Sequence, residues 1–228
     1  MHAGVDGQNG IAEYSGALEE KIGMRTIATM ERLIACLNKL PGIGRRSAQR
    51  LAFELAGRRD NLMRELSVAL DEVARSTAIC SKCGSITNTD ANPCRLCSDP
   101  ARNSSILCIV ETPLDALLIE KAGSYDGRYH VLGGKISPMR GQGLDNLKLS
   151  DLRRRIVSEE FREIIIALNS DVESDATASM LKDLLGDLNV NISRPAMGLP
   201  AGGGIAYSDN LTLNKALQNR QILQSGKK

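Results

Sequence analysis

Tryptophan is absent from the 228 residues, and the other aromatics amount to four tyrosines and two phenylalanines. Proteins that hold unpaired bases commonly stack them on aromatic rings, so this poverty argues against that mode of binding. An excess of charge of either sign is also missing: 29 Lys and Arg against 27 Asp and Glu leave +2. Any basic surface must therefore be local. Apolar runs reach only five residues, as at Ile106–Val110 and Ile164–Leu168, where a helical bilayer crossing needs roughly 20. A membrane span is excluded on that ground.

The first 25 residues are Gly-rich and polar, with no Lys or Arg before Lys21, and they lack the apolar centre of an export signal. They read as a flexible extension on a cytoplasmic protein. Hydrophobic residues at 42% and charged ones at 25% are ordinary values for a globular chain, and the length suits one domain or two small ones. Six cysteines without an export signal point to thiols or metal ligands rather than disulfides.

Helical periodicity dominates the first third. Ile27, Met30, Leu33, Ile34 and Leu37 form a stripe over Thr26–Leu40, which Pro41 stops. Arg45–Ala56 repeats the pattern, with Gly57 placed as a C-cap, and Leu62, Leu66, Ala69, Leu70 and Val73 mark a third helix to about Ser76. After Arg102 short apolar runs alternate with helical stretches: 106–110 then 113–122, 129–132 then 147–159, 164–168 then 174–185, and finally 190–192. Strands alternating with helices predict a parallel α/β sheet with its working loops at the strand C-terminal ends. Gly198–Gly204 reads as a loop, and Asp209 as the cap of a last helix to about Gln218.

Between these halves stand Cys80-Ser81-Lys82-Cys83 and Cys94-Arg95-Leu96-Cys97. Each pair sets two thiolates on one tight knuckle, and two knuckles complete a closed, all-sulfur tetrahedron suited to a structural zinc ion, one per chain. Cys36 and Cys108 lie in apolar stretches and read as small core residues.

A second constellation is Leu40-Pro41-Gly42-Ile43-Gly44 between two helices, followed by Arg45, Arg46 and Arg50. Proline ends one helix, Gly42 and Gly44 permit a tight hairpin, and the next helix N-terminus offers its N–H groups to a phosphate. Six basic residues and one acid lie between Lys39 and Arg59, so the hairpin is the place for DNA-backbone contact. By contrast, Gly133-Gly134-Lys135 is no phosphate loop of the Walker type, since Tyr129 stands where a glycine is required and Ile136 where Ser or Thr is.

Glu111 directly follows one strand, and Asp171 and Glu173 follow another, which gathers carboxylates at one sheet edge. There they either hold Mg²⁺ or cap helices, and both readings stay open. His130, within an apolar strand, reads as a core histidine.

Taken in order from about Glu31 to Leu223, these segments resemble the bacterial RecR family of recombination mediators. The resemblance rests on Leu40–Gly44 with Ser47–Phe53, the four cysteines, Val110–Asp115, Tyr129–Pro138 and Gly198–Gly203. It implies a mixed α/β chain with a helix-hairpin-helix region over 26–77, a zinc segment over 78–102, a Toprim-like α/β domain over 103–195, and a C-terminal loop, helix and tail over 196–228. It also implies a ring-like homo-oligomer, dimer or tetramer, able to encircle DNA, with RecO and RecF as partners. Two departures stand out: Asn169-Ser170-Asp171-Val172-Glu173 lacks the first aspartate of the Toprim acidic motif, and Asp209-Asn210 replaces the family's usual Asp-Glu.

The first functional expectation is thus a non-enzymatic DNA-binding clamp and adaptor, with Glu111, Asp115, Asp171 and Glu173 as a partner-docking surface or weak Mg²⁺ site without catalytic role. The alternative is a Mg²⁺-dependent Toprim nuclease or primase-like enzyme, using Glu111 as general acid-base and Asp171 with Glu173 as metal ligands. A zinc-stabilised interaction module without DNA contact is the third.

Overall fold

A computed structural model describes residues 27–58, 60–135, 149–196, 198–200 and 202–221. The expected N-terminal extension, Arg59, the segment from Ile136 through Lys148, Met197, Ala201 and the tail after residue 221 lie outside the described residues. Two compact units divide at Ala74 and Arg75.

The first unit is helical: α1 (Ala28–Leu37), α2 (Arg45–Gly57) and most of α3 (Leu62–Ser76). The first helix stops three residues short of Leu40. Proline bars its preceding residue from helical geometry, and the chain tightens beforehand, with Lys39 N–H donating to Cys36 O at 3.2 Å and Leu40 N–H to Leu37 O at 3.1 Å. Ala48 and Ala52 on α2 are fully buried, their small side chains allowing close approach. Gly57 is the last residue of α2 rather than its cap, which is Arg58. Cys36 is exposed, not a core residue: it lies about 120° around α1 from the middle of the apolar stripe at 100° per residue. On α3 the stripe forms as expected, yet Leu66, Leu70 and Val73 stay exposed within the single chain.

The second unit begins with a small antiparallel pair, β1 (Thr77–Ile79) and β2 (Ile86–Asn88), in register Thr77↔Asn88, followed by the short α4 (Arg95–Ser98). Neither the pair nor α4 is legible as an apolar run. Four parallel strands follow in the order β4-β3-β5-β6: β3 (Asn103–Val110), β4 (Gly127–Val131), β5 (Glu163–Ala167) and β6 (Asn191–Ser193). Helices α5 (Pro113–Ala122), α6 (Leu149–Ser158) and α7 (Val172–Leu185) connect them. A three-residue 3₁₀ turn (Ile205–Tyr207) and α8 (Asn210–Gln218) complete the chain. Asp209 caps α8 through Thr212 N–H at 2.9 Å, as its position predicts.

Successive strand residues point to opposite faces, and the core divides accordingly. Leu107, Ile109, Ile164 and Ile166 pack with Leu152, Ile156, Leu181 and Leu185 of α6 and α7. Cys108, Val110, Tyr129 and Val131 pack with Ala116 of α5 on the other face. A parallel sheet covered on both sides is what the near-continuous apolar strands require. His130 is buried within β4, as expected of a core histidine. Among the described residues no helix is long and apolar enough to cross a membrane.

Candidate functional site

The four cysteines converge. The first knuckle closes with Cys80 N–H donating to Ser85 O at 2.7 Å and Gly84 N–H to Cys80 O at 3.0 Å, where Gly84 takes a left-handed φ of 77°. The second closes with Cys97 N–H donating to Cys94 O at 2.9 Å. Asn92 ties the two together, accepting from Ser81 N–H at 2.9 Å and donating to Ile79 O at 3.3 Å. As a result Sγ of Cys80 and Cys97 are 3.9 Å apart, those of Cys83 and Cys94 are 3.6 Å apart, and all four lie within 4.8 Å of one another. A tetrahedron with metal–sulfur bonds of about 2.3 Å places its sulfurs about 3.8 Å apart. The cluster therefore fits a tetrahedral metal ion.

Its electrostatics ask for one. The Cys83 thiol is held down at about 5, first by a hydrogen bond from Cys97, while burial and the neighbouring Cys83 charge push Cys94 up to about 11. The nearby Cys83 sulfur, then burial, push Cys97 higher still. Four thiolates at this spacing need a cation among them. All four are buried, so a metal held by these four sulfurs would have no position open to substrate and its role would be structural.

In the helical unit the hairpin has the geometry its residues predict. Gly42 adopts φ 79°, a conformation that favours glycine, and Ile43 N–H closes the turn on Leu40 O at 3.1 Å. Gly44 is the extended N-cap of α2, whose first turn holds no acid. Gly42, Gly44, Arg45, Arg46 and Arg50 are all exposed, and a Cβ added at either glycine would meet nothing within 4 Å. The loop backbone is thus open to approach from outside.

The acidic residues separate into two groups. Asp115 is committed locally, its carboxylate accepting from Thr112 N–H and Oγ1–H at 2.8 Å each in a capping box at the start of α5. Glu111, Asp171 and Glu173 do gather at the sheet edge. Asp171 caps α7 through Ser174 N–H at 2.8 Å, and Asn169 Nδ2–H donates to Glu111 Oε2 at 3.1 Å. Among them lies Lys135, whose Nζ is 2.6 Å from Asp171, 3.8 Å from Glu173 and 3.9 Å from Glu111. Sequence reasoning misses this lysine, which belongs to the segment that fails as a Walker loop. The clue available in sequence is its place in the loop after a strand parallel to the one that Glu111 follows. Leu132 N–H donates to Val110 O at 2.9 Å and Gly133 N–H to Glu111 O at 3.0 Å, which carries the lysine to the acids.

Known families match the chain in the same order. Residues 30–74 match the RecR helix-hairpin-helix family, 105–196 the Toprim domain family, and 198–221 the RecR C-terminal family. The protein named Recombination protein RecR in Moorella thermoacetica is 44% identical over 195 residues, covering 86% of this chain and 97% of that protein. That of Acidothermus cellulolyticus is 42% identical, covering 85% and 96%, and that of Heliobacterium modesticaldum 43%, covering 84% and 96%. The chain belongs to the RecR family. Membership rests on these relatives and on the helix-hairpin-helix and C-terminal matches, and the fold class expected from the resemblance, with its four-cysteine cluster and Toprim-type sheet, is the one observed.

Two outcomes follow for this RecR-family site. Cys94→Ser removes one of four sulfurs, so metal content measured on the purified folded protein is expected to fall from one ion per chain to well below half, with proteolytic sensitivity appearing near residues 80–97. Asp171 is held down at about 2, first by the Lys135 ammonium and then by Ser174 N–H. A carboxyl lowered in the folded state adds stability above its unfolded value, ordinarily about 4, and loses it as pH falls toward 2. Carbon-detected NMR titration of Asp171 is expected to give a midpoint near 2 in the wild type and one nearer the ordinary value in Lys135→Met.

Proposed function

We propose that this chain is a non-enzymatic DNA-binding adaptor of recombinational DNA repair. It works as a ring-like homo-oligomer, dimer or tetramer, at gaps and single-strand/double-strand junctions. RecO- and RecF-type repair proteins are its partners in the bacterial cytoplasm, next to the nucleoid. The observation that carries this reading is the exposed basic hairpin, where open glycine backbone, a helix N-terminus without acids and three arginines coincide. Such a surface recognises phosphate irrespective of base sequence.

Zinc is the metal we assign to the cysteine cluster, because four thiolates in a tetrahedron without an open position select it over harder ions. Its binding contributes on the order of 10 kcal/mol to folding of the knuckles. Self-association is supported by α3, whose Leu66, Leu70 and Val73 are each more than 40% exposed in the single chain. An amphipathic helix of this length leaves such a stripe uncovered only at a cost that a second copy removes.

The acidic edge fits a docking role for a basic partner surface better than an enzymatic one. Among the described residues Glu111, Asp171 and Glu173 outnumber Lys135, and Arg194 beside Asn169 is paired with Asp175, so the edge keeps a net negative charge and steers a cationic partner more than it adds affinity. Asp171 is meanwhile committed to Lys135 and to Ser174 N–H.

Replacing Arg46 and Arg50 with Ala is expected to weaken binding to unrelated DNA sequences alike. The log–log salt dependence is expected to become shallower by about one unit for each phosphate that the variant no longer neutralises. An unchanged slope in a native-like protein would take the hairpin out of the reading. Glu111→Lys is expected to slow association of a RecO-type partner at low salt while leaving zinc content and DNA retention intact. A variant that binds the partner at the wild-type rate but loses a Mg²⁺-dependent DNA cleavage activity would install the enzymatic alternative.

A further inference from the structure

We propose that Lys135 takes the place of a divalent cation at the acidic edge, so that the carboxylates of this chain are organised by an internal ammonium and exclude Mg²⁺. The edge brings two acids after β5 and one after β3 round a single cation, with Nζ of Lys135 2.6 Å from Asp171, 3.8 Å from Glu173 and 3.9 Å from Glu111. The lysine is well placed to stay there. Its side chain is only 17% exposed and that of Glu111 16%, and its backbone is anchored by the hydrogen bond from Gly133 N–H to Glu111 O.

Other donors engage the same carboxylates. Asp171 accepts from Ser174 N–H as well as from Lys135, and Glu111 accepts from Asn169. Mg²⁺ demands near-octahedral oxygen ligands at about 2.0–2.1 Å and gives up its water reluctantly. To enter, it would have to displace an ammonium that already offsets part of the same charge. Even with the screening of bulk water, a dication a few ångströms from a lysine is repelled strongly enough to weaken binding at least about tenfold. A fixed ammonium brings one positive charge where a dication brings two, so the edge also stays negative whatever the concentration of free Mg²⁺.

The test is direct metal binding by the full-length, zinc-loaded chain and needs no partner, so its result is separate from that of the docking reading. Mn²⁺, followed by the loss of its free-ion electron paramagnetic resonance signal, serves as the probe for wild type, Lys135→Arg, Lys135→Met and Lys135→Met with Asp171→Asn. Wild type and Lys135→Arg are expected to show no site tighter than about 1 mM. Lys135→Met is expected to gain one site per chain at least about tenfold tighter, which Asp171→Asn removes. A wild-type chain that binds one Mn²⁺ as tightly as Lys135→Met overturns the proposal. So does a folded Lys135→Met that gains no site, since the lysine would then not be what keeps the ion out. If Lys135→Met fails to fold, a wild-type or Lys135→Arg chain that binds one Mn²⁺ more tightly than about 1 mM still overturns the proposal.

Discussion

The hydrogen bond from Val131 N–H to Cys83 O, 2.7 Å long, joins the metal knuckle to the end of the edge strand β4, and much of the second unit depends on it. A metal on the four sulfurs fixes Cys83, and the Cys83 carbonyl in turn fixes the point where β4 stops and the Gly133–Lys135 loop departs. Gly84 makes the approach feasible, since a Cβ there would sit 3.0 Å from Val131 O. A second tie runs through Glu159, which accepts from Arg155 at 3.0 Å and Arg128 at 2.6 Å and lies 3.9 Å from Lys82 of the knuckle. Arg155, itself buried, donates to Tyr129 O at 2.6 Å. Burial at such a junction makes each partner costly to remove. The cysteine cluster is therefore more than a local staple: it shields one end of an otherwise open strand edge and helps to aim Lys135.

Charge is organised by segregation rather than by excess. A chain with a net charge of +2 concentrates arginine on a hairpin whose helix N-terminus already carries a partial positive charge, with no acid in its first turn. The sheet edge collects carboxylates in the other unit. The two patches differ in exposure: the hairpin arginines are exposed, whereas the acids share a lysine that is mostly buried. The first is therefore sensitive to salt. The second is screened less.

Much of this is legible in the residues, and what is not has identifiable causes. The paired cysteines specify their own geometry, because two-residue spacers leave little freedom for the thiols. The buried strands announce themselves as apolar runs, but β3 begins at Asn103 rather than Ile106: its first residues are polar and join the sheet through pairing with Gly127, which no run of hydrophobicity records. Helix α7 starts at Val172 because Asp171 supplies the cap, two residues before the apolar periodicity becomes visible. The β1–β2 pair escapes because three-residue strands flanking a metal knuckle derive their stability from the knuckle. Cys36 is misread because an apolar neighbourhood in sequence says nothing about the angle around a helix. Lys135 is invisible for a further reason: its role arises only when β3, β4 and β5 lie side by side.

The carboxylates show how a fold can gather acids at a sheet edge and hold them with a cation of its own. Two demands act on Asp171 at once, the N–H of Ser174 and the ammonium of Lys135, and both favour the ionised form. Helix capping alone is a sufficient reason to retain an aspartate here, as it is for Asp115 at α5 and Asp209 at α8. Glu111 follows β3 and Glu173 lies in the first turn of α7; what brings them beside Asp171 is the parallel register of β3 and β5, in which Val110 pairs with Ala167. Topology brings the acids together, and like charges so placed repel unless something positive is interposed. In this chain that positive charge is covalently attached, delivered by the loop that the metal knuckle positions. The cysteine cluster and the acidic edge, which have no residue in common, are thereby parts of one arrangement.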